Sequence, residues 1–182
     1  MKSKTYSSDG IILSRKNYKE ADRIICVFSE KYGKVNLLAK GVRKIKSRKR
    51  GHIEVFSKIK FIATKTNTFD IITEAEITSD YSIIRSSLNK MSLAYYFSEV
   101  VEKITRDFEP IPAVFSMLSR YFKELEVNNN LKSLRISFLK ELLLELGFWS
   151  EADGIKNIDM VIDDVLERKL SSLRVGKKIL SG

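Results

Sequence analysis

The stretch Arg23–Lys40, RIICVFSEKYGKVNLLAK, decides the fold. It contains two short apolar runs, Arg23–Phe28 and Lys34–Lys40, joined by a tight connection that includes Tyr32-Gly33. Runs rich in β-branched residues on either side of a short Gly-containing turn are typical of a β-hairpin. We therefore predict two antiparallel strands in this stretch.

Three further strands are predicted around this hairpin. They are Gly10–Leu13 before it, then His52–Thr64 and Phe69–Ile77 after it, with a turn at 66–68 between the last two. Five strands within about 75 residues, without a helix-length pattern, favour a small closed or partly closed barrel. The five-stranded oligonucleotide/oligosaccharide-binding barrel, or OB-fold, fits this size.

Beyond residue 80 the apolar residues follow a helical spacing. A first core-facing stripe consists of Leu93, Phe97, Val100, Val101, Ile104 and Phe108. Pro110-Ile-Pro112 interrupts it, and a second stripe runs from Val114 to Leu125. These stripes predict two amphipathic helices, because apolar residues three and four apart share one helix face.

Two more helices complete the second half of the chain. Leu131–Leu146 is strongly apolar and is followed by Gly147, a typical helix-ending residue. Residues 158–166 carry a last amphipathic pattern. The predicted fold class is therefore α+β, with an OB-fold nucleic-acid-binding domain over 1–79 and a helical domain over 80–182.

The charge is concentrated in the first half of the chain. The whole sequence has 33 Lys and Arg against 23 Asp and Glu, a formal net charge of +10. Residues 1–80 hold 18 basic and 9 acidic residues, whereas residues 81–182 hold 15 and 14. A basic half beside a nearly neutral half indicates a surface for an anionic partner on the first domain.

The strongest local feature is Lys40–Arg50, in which seven of eleven residues are basic and none is acidic. Either this segment is a solvated or disordered basic arm, or it neutralises phosphates. OB-folds bind single strands along basic grooves with stacking aromatic residues. This context favours the second alternative, in which the segment neutralises phosphates. Tyr18 and Tyr32, in turns, are candidate stacking residues, and Lys16 and Lys19 could extend the basic patch. The predicted nucleic-acid-binding residues are Arg15, Arg23, Lys34, Lys40, Arg43, Lys44, Lys46, Arg48, Lys49 and Arg50.

Several classes of protein are not expected. No apolar run is long enough for a membrane span, and the N-terminus lacks an apolar signal core. The lone Cys26 and lone His52 form no metal-ligand spacing, and no catalytic motif is present. We expect a non-enzyme without metal or cofactor, with Cys26 buried, in the cytoplasm and associated with the nucleoid.

Several sequence pieces together resemble the RecO family of bacterial recombination mediators. The pieces, in order, are Gly10–Arg15, Tyr18–Arg23, Phe28–Lys34, Ala39–Arg43, Lys46–Arg48 and Phe138–Phe148, with Glu167–Ser172 matching more weakly. The resemblance implies an OB domain followed by a helical domain. It also implies binding to single- and double-stranded DNA, annealing of complementary strands, and help in loading the RecA recombinase. The implied partners are RecR and the acidic C-terminal tail of single-stranded DNA-binding protein (SSB).

Two departures from the family pattern bear on these expectations. The four cysteines that hold zinc in many members are absent, so no zinc is predicted. The family often has a basic residue directly before the aromatic matched by Phe138, and this chain has Ser137 there. Arg135 lies two positions earlier, about 200° around a helix from that position. The predicted partner-binding residues are therefore Lys132, Arg135 and Phe138, with Lys132 or Arg135 as the substitute cation.

Two alternatives stay open at this stage. A basic OB-fold protein could bind RNA or the ribosome, because phosphates of RNA and DNA attract lysine and arginine equally. A scaffold protein could dock a partner on its helical half while its basic half steers association.

Overall fold

The computed structural model describes residues 4–44, 50–150 and 158–167 of the chain. Five strands come first, followed by helices. The strands are β1 (Thr5–Tyr18), β2 (Asp22–Ser29), β3 (Gly33–Ala39), β4 (Lys58–Thr64) and β5 (Asp70–Ser79). A short 3₁₀ helix, Arg50–His52, precedes β4. The helices are α1 (Ser82–Arg85), α2 (Leu88–Ile104), α3 (Pro112–Val127), α4 (Leu131–Glu145) and α5 (158–167).

The strands form a closed barrel in the order β1-β2-β3-β5-β4. All neighbouring pairs are antiparallel except β3 and β5, which run parallel and pair through Leu37–Asp70 and Leu38–Ile71. The predicted α+β class, a five-stranded barrel followed by helices, is confirmed. Two strands differ clearly from the prediction: β1 extends over Thr5–Tyr18 rather than Gly10–Leu13, and β4 begins at Lys58 rather than His52. Residues 53–57 instead form an irregular connection, in which Phe56 has a φ of 74°.

The barrel interior is filled by alternate residues of the strands. Phe61 is its largest side chain and is fully buried. Gly10 is required beside it, because a Cβ at that position would lie 2.4 Å from Val27 Cγ1. The interior consists of Ile12, Ile25, Val27, Val35, Leu37, Ala39, Val42, Ile53, Ile59, Phe61, Ala63 and Ile72.

The outer side of β2 is also buried along part of its length. Cys26 is 4% exposed, as predicted, and lies on the side of β2 opposite Ile25 and Val27. Burial raises the pKa of the Cys26 thiol to about 12. The thiol is therefore protonated near neutral pH and does not act as a nucleophile.

Helix α2 ends one turn earlier than its apolar stripe predicts. The helix stops at Ile104, and the Thr105 amide donates to the Val101 carbonyl at 3.1 Å. Phe108 then adopts a φ of 59° and is 69% exposed. Its amide donates to the Lys34 carbonyl of β3 at 3.0 Å. The prediction that Phe108 faces the core is therefore wrong, because the helical spacing does not extend to it.

The chain divides into two compact units, Met1–Asn128 and Asn129–Gly182. The first, the barrel unit, contains the five strands and α1–α3. The second, the C-terminal unit, contains α4 and α5. Helix α4 begins where the Asn130 side chain accepts from the Ser133 amide at 3.1 Å, and it ends before Gly147, whose φ is 72°. Gly147 thus ends the helix as predicted, whereas a separate OB domain over 1–79 stays a prediction.

Candidate nucleic-acid interface

A row of half-buried aliphatic side chains lies on the outer face of the barrel. Lys16 pairs with Ile24, Ile24 with Leu38, and Leu38 with Ile71, across β1, β2, β3 and β5. Paired residues point to the same face of a sheet. Because Ile25, the next residue after Ile24, fills the interior, the whole row faces outward. An apolar strip beside an exposed lysine is thus available on the surface.

Two aromatic rings flank this row. Tyr18 is two residues beyond Lys16 on β1, and Phe69 directly precedes β5. Their ring centroids are 6.3 Å apart, and both side chains are half-buried. The Lys19 ammonium lies 5.4 Å from the Tyr18 ring centroid. The contact between the two rings therefore brings the β1–β2 loop next to the β4–β5 loop. These two loops bind ligands in OB-folds.

The start of the basic segment is fixed next to these loops. The Gly41 amide donates to the Asp22 carboxylate at 2.7 Å, and the Arg43 amide donates to the Ala21 carbonyl at 2.9 Å. The Arg43 guanidinium also reaches the Lys19 carbonyl at 3.3 Å. Lys40, Arg43 and Lys44 are exposed on this turn. We call the combined area the L12–L45 surface; it consists of Lys16, Tyr18, Lys19, Ile24, Leu38, Lys40, Arg43, Lys44, Phe69 and Ile71.

Arg15 and Arg23 lie elsewhere, facing the carboxylate of Glu54. Arg15 forms a close ion pair with Glu54, and Arg23 Nη1 lies 3.9 Å from the other carboxylate oxygen. Their side chains are 33% and 18% exposed. Both are predicted to bind nucleic acid, but each is partly neutralised by a carboxylate of the protein itself. They hold the connection before β4 in place and are left out of the L12–L45 surface.

The Lys34 side chain forms hydrogen bonds and an ion pair at the C-terminal end of α2. Its ammonium donates to the carbonyls of Glu102 at 2.6 Å and Thr105 at 2.9 Å, and it lies 3.2 Å from the Asp107 carboxylate. The side chain is 14% exposed. A cation at a helix C-terminus stabilises the unpaired carbonyls there. Lys34 therefore joins the barrel to α2, and we do not include it in the nucleic-acid surface.

We expect Lys34→Ala to destabilise the protein without changing nucleic-acid binding. Loss of a charged donor to two carbonyls costs about 2 kcal/mol. Urea unfolding of the wild type and the variant measures this loss, and fluorescence anisotropy with a labelled oligonucleotide measures affinity. A variant with normal stability and weakened binding would contradict the structural role.

The remaining predicted cations of the basic segment are not placed by the structure. Lys46, Arg48 and Lys49 lie outside the described residues, and the side chain of Arg50 is not described either. Their assignment to nucleic-acid binding stays a prediction.

In the C-terminal unit the three predicted partner-binding residues have different surroundings. Phe138 is fully buried, so its side chain is part of the core and not of a surface. Arg135 is bonded to both carboxylate oxygens of Asp159, at 2.6 and 3.0 Å, and lowers the pKa of that carboxyl. Lys132 is exposed and lies in a groove of α4 that also includes Lys140. The groove is lined by Asn130, Lys132, Ser133, Ile136, Ser137 and Lys140.

The outward aliphatic row is not among the features predicted above from the sequence. The sequence nevertheless contains a pattern that indicates it. Ile24-Ile25, Leu37-Leu38 and Ile71-Ile72 are doublets within strands. Because side chains alternate between the two faces of a strand, a doublet places one apolar residue inside the barrel and one outside.

Two further kinds of site are absent from the described residues. No helix described in the structure is both long and apolar enough to span a membrane. Over the same residues, no group of three or more His, Cys, Asp and Glu side chains could hold a metal ion.

Comparison with known proteins identifies the family. Residues 1–81 match the family model described as recombination protein O N terminal, and residues 85–153 match recombination protein O C terminal. The chain is 30% identical to the DNA repair protein RecO of Desulforamulus reducens over 92% of its length and 64% of the relative. It is 30% identical to that of Geobacter metallireducens over 89% of its length and 66% of the relative. It is 31% identical to that of Pelotomaculum thermopropionicum over 63% of its length and 45% of the relative.

The chain therefore spans less than two thirds of the length of these curated relatives. Both family models follow the order seen in the structure, with the barrel in the first and helices in the second. The chain belongs to the RecO family of DNA repair proteins.

Proposed function

We propose that this protein binds DNA through the L12–L45 surface and acts as a recombination mediator in recombinational DNA repair. The observation that carries the proposal is the outward row of Ile24, Leu38 and Ile71, which is flanked by the Tyr18–Phe69 pair and bordered by exposed cations. Unpaired bases stack on the two aromatic rings and pack against the aliphatic side chains, and the cations contact the phosphates of the same strand.

The surface supports two modes of binding. A single strand can use both its bases and its phosphates, whereas a duplex presents mainly phosphates to Lys40, Arg43 and Lys44. Neutralising phosphates lowers the repulsion between two complementary strands, which favours annealing. The mechanism is electrostatic and needs no covalent step, cofactor or metal.

Partner binding is assigned to the C-terminal unit as part of the same proposal. Lys132 and Lys140 are exposed in one groove of α4, about 12 Å apart along the helix axis. Two ammonium groups at that spacing suit the acidic tail of SSB, in place of the paired Arg135 and the buried Phe138. Together with RecR, the protein would then help RecA to load on SSB-coated DNA.

Annealing of complementary strands tests this function. We expect the wild type to anneal naked strands, and also strands coated with intact SSB, but to anneal strands coated with tail-deleted SSB at least about tenfold more slowly. Lys132→Glu/Lys140→Glu should reproduce the slow rate on intact SSB while annealing naked DNA normally. Lys103→Glu/Arg106→Glu, on another part of the surface, is the matched control.

Failure to anneal naked strands would contradict the annealing function itself. Equal rates on intact and tail-deleted SSB would contradict the tail contact alone. Competition with structured RNA separates DNA binding from the alternative of RNA binding. If the RNA displaces single-stranded DNA at lower concentration than unlabelled DNA does, the RNA-binding function is favoured.

A further inference from the structure

Besides the L12–L45 surface, the barrel unit has a basic cleft, which lies between the barrel wall and α3. Its volume is about 340 Å³. The barrel side contributes Lys58, at the start of β4, and Glu30, directly after β2. The residues of α3 that line it include Ser116, Arg120 and Lys123.

The cations of this cleft face each other across it. Ser116, Arg120 and Lys123 are four and three residues apart, so they share one face of α3. Lys58 lies opposite, with its ammonium 5.2 Å from the Phe115 ring centroid. Arg120 pairs with Glu124 at 3.0 Å on its own helix. Three cations, Lys58, Arg120 and Lys123, therefore outnumber the two carboxylates beside them, Glu30 and the Glu124 that pairs with Arg120, which leaves a positive surplus for an anion.

The cleft is separate from the L12–L45 surface. Lys58 pairs with Ile11 of β1, and Tyr18 lies seven residues further along the same strand. Seven residues of extended strand span at most about 23 Å. Both sites belong to the compact unit Met1–Asn128, so their separation is set by a single strand of the barrel.

The chemistry of the lining favours phosphate over an acidic peptide. A bound peptide usually inserts an apolar anchor side chain into a pocket. The only aromatic ring in this lining, Phe115, is 3% exposed and lies beneath Lys58. Apart from the Glu30 carboxylate, the accessible groups of the lining are ammonium, guanidinium and hydroxyl donors, which bond to phosphate oxygens.

We infer that this cleft binds the sugar-phosphate backbone of a second nucleic-acid strand, an inference that rests on the proposed strand binding by the L12–L45 surface. One protein then holds two strands at most about 23 Å apart, which gives their bases a high effective concentration for pairing. Annealing therefore depends on both sites, whereas binding of the first strand depends on the L12–L45 surface alone.

The test uses two non-complementary oligonucleotides, one with a donor and one with an acceptor fluorophore. We compare the wild type with Lys58→Gln/Lys123→Gln and with the matched control Lys103→Gln/Arg106→Gln, which removes the same charge. In Lys58→Gln/Lys123→Gln we expect first-strand affinity within about twofold of the wild type. We expect energy transfer between the two strands, and the annealing rate of a complementary pair, to fall about tenfold. Lys123→Glu repeats the test at an exposed position without altering the packed Lys58.

The outcomes separate the two proposals. If the wild type binds a single labelled strand but the cleft variants retain full energy transfer and annealing, the second-strand site is wrong and the proposed function stands. If the wild type binds no strand at all, both are wrong. Binding of a Glu-rich peptide that depends on Lys58 and Lys123, with unchanged energy transfer, would overturn the assignment in favour of a protein partner.

Discussion

Replacing Lys40, Arg43 and Lys44 together by Ala is expected to weaken binding of a single-stranded oligonucleotide by about tenfold to a hundredfold at physiological salt. The three side chains are exposed on one turn, which the Asp22 carboxylate and the Ala21 carbonyl hold against the β1–β2 loop. Each phosphate contact that is lost removes about 0.7 from the slope of log affinity against log salt. The slope should therefore fall by about two.

Anisotropy titrations at several salt concentrations measure both quantities. The control is Lys31→Ala/Lys103→Ala/Arg106→Ala, which removes the same number of charges at exposed positions away from the L12–L45 surface. If both triple variants lose the same affinity, net charge explains the binding and the assigned surface is wrong. If the slope of log affinity against log salt were unchanged in the Lys40, Arg43 and Lys44 variant, the assigned surface would also be wrong.

The second large effect is expected from the aromatic pair. Tyr18→Ala/Phe69→Ala should weaken single-strand binding by about tenfold to a hundredfold, because stacking contributes about 1–3 kcal/mol per base. Duplex binding should change by less than about twofold, since paired bases are not available to these rings. The ratio of single-strand to duplex affinity is thus the quantity to measure.

Two variants make this result interpretable. Tyr18→Phe keeps the ring and removes only the hydroxyl group, so it should bind single strands as the wild type does. Phe108→Ala removes an aromatic side chain that is 69% exposed outside the L12–L45 surface, and it should leave binding unchanged. Equal losses for single strands and duplex in Tyr18→Ala/Phe69→Ala, with a normal unfolding midpoint, would show that the rings do not stack with bases.

The barrel could be predicted from the sequence because its determinants are local. The hairpin Arg23–Lys40 and the turn at 66–68 fix neighbouring strands, and the alternation of apolar residues fixes the faces. The helix from Val114 follows from its 3.6-residue period, and the helix from Leu131 follows from its apolar length and the Gly147 that ends it. The positive charge of Lys40–Lys44 is equally visible in the sequence.

The roles of several individual cations could not be predicted, because they depend on residues distant in sequence. Lys34 bonds to carbonyls 68 and 71 residues away, and Arg15 pairs with a carboxylate 39 residues away. The sequence shows each of these residues only as one more basic residue in the basic half of the chain, and it does not show the distant partner. The burial of Phe138 is a similar case, since an apolar residue on a helix matches a core position and a docking position equally well.

The connection after α2 has a consequence for the behaviour of the protein in solution. Strand β5 pairs with β3 only near Leu37 and Leu38, so no strand of the described residues pairs with the backbone around Lys34 on that side. The α2–α3 connection fills this place, because Asp107 bridges to Lys34 in parallel and the Phe108 amide donates to its carbonyl. Unpaired strand edges invite pairing between molecules and aggregation. This connection therefore covers the strand edge at Lys34, and we expect it to limit self-association of the barrel in solution.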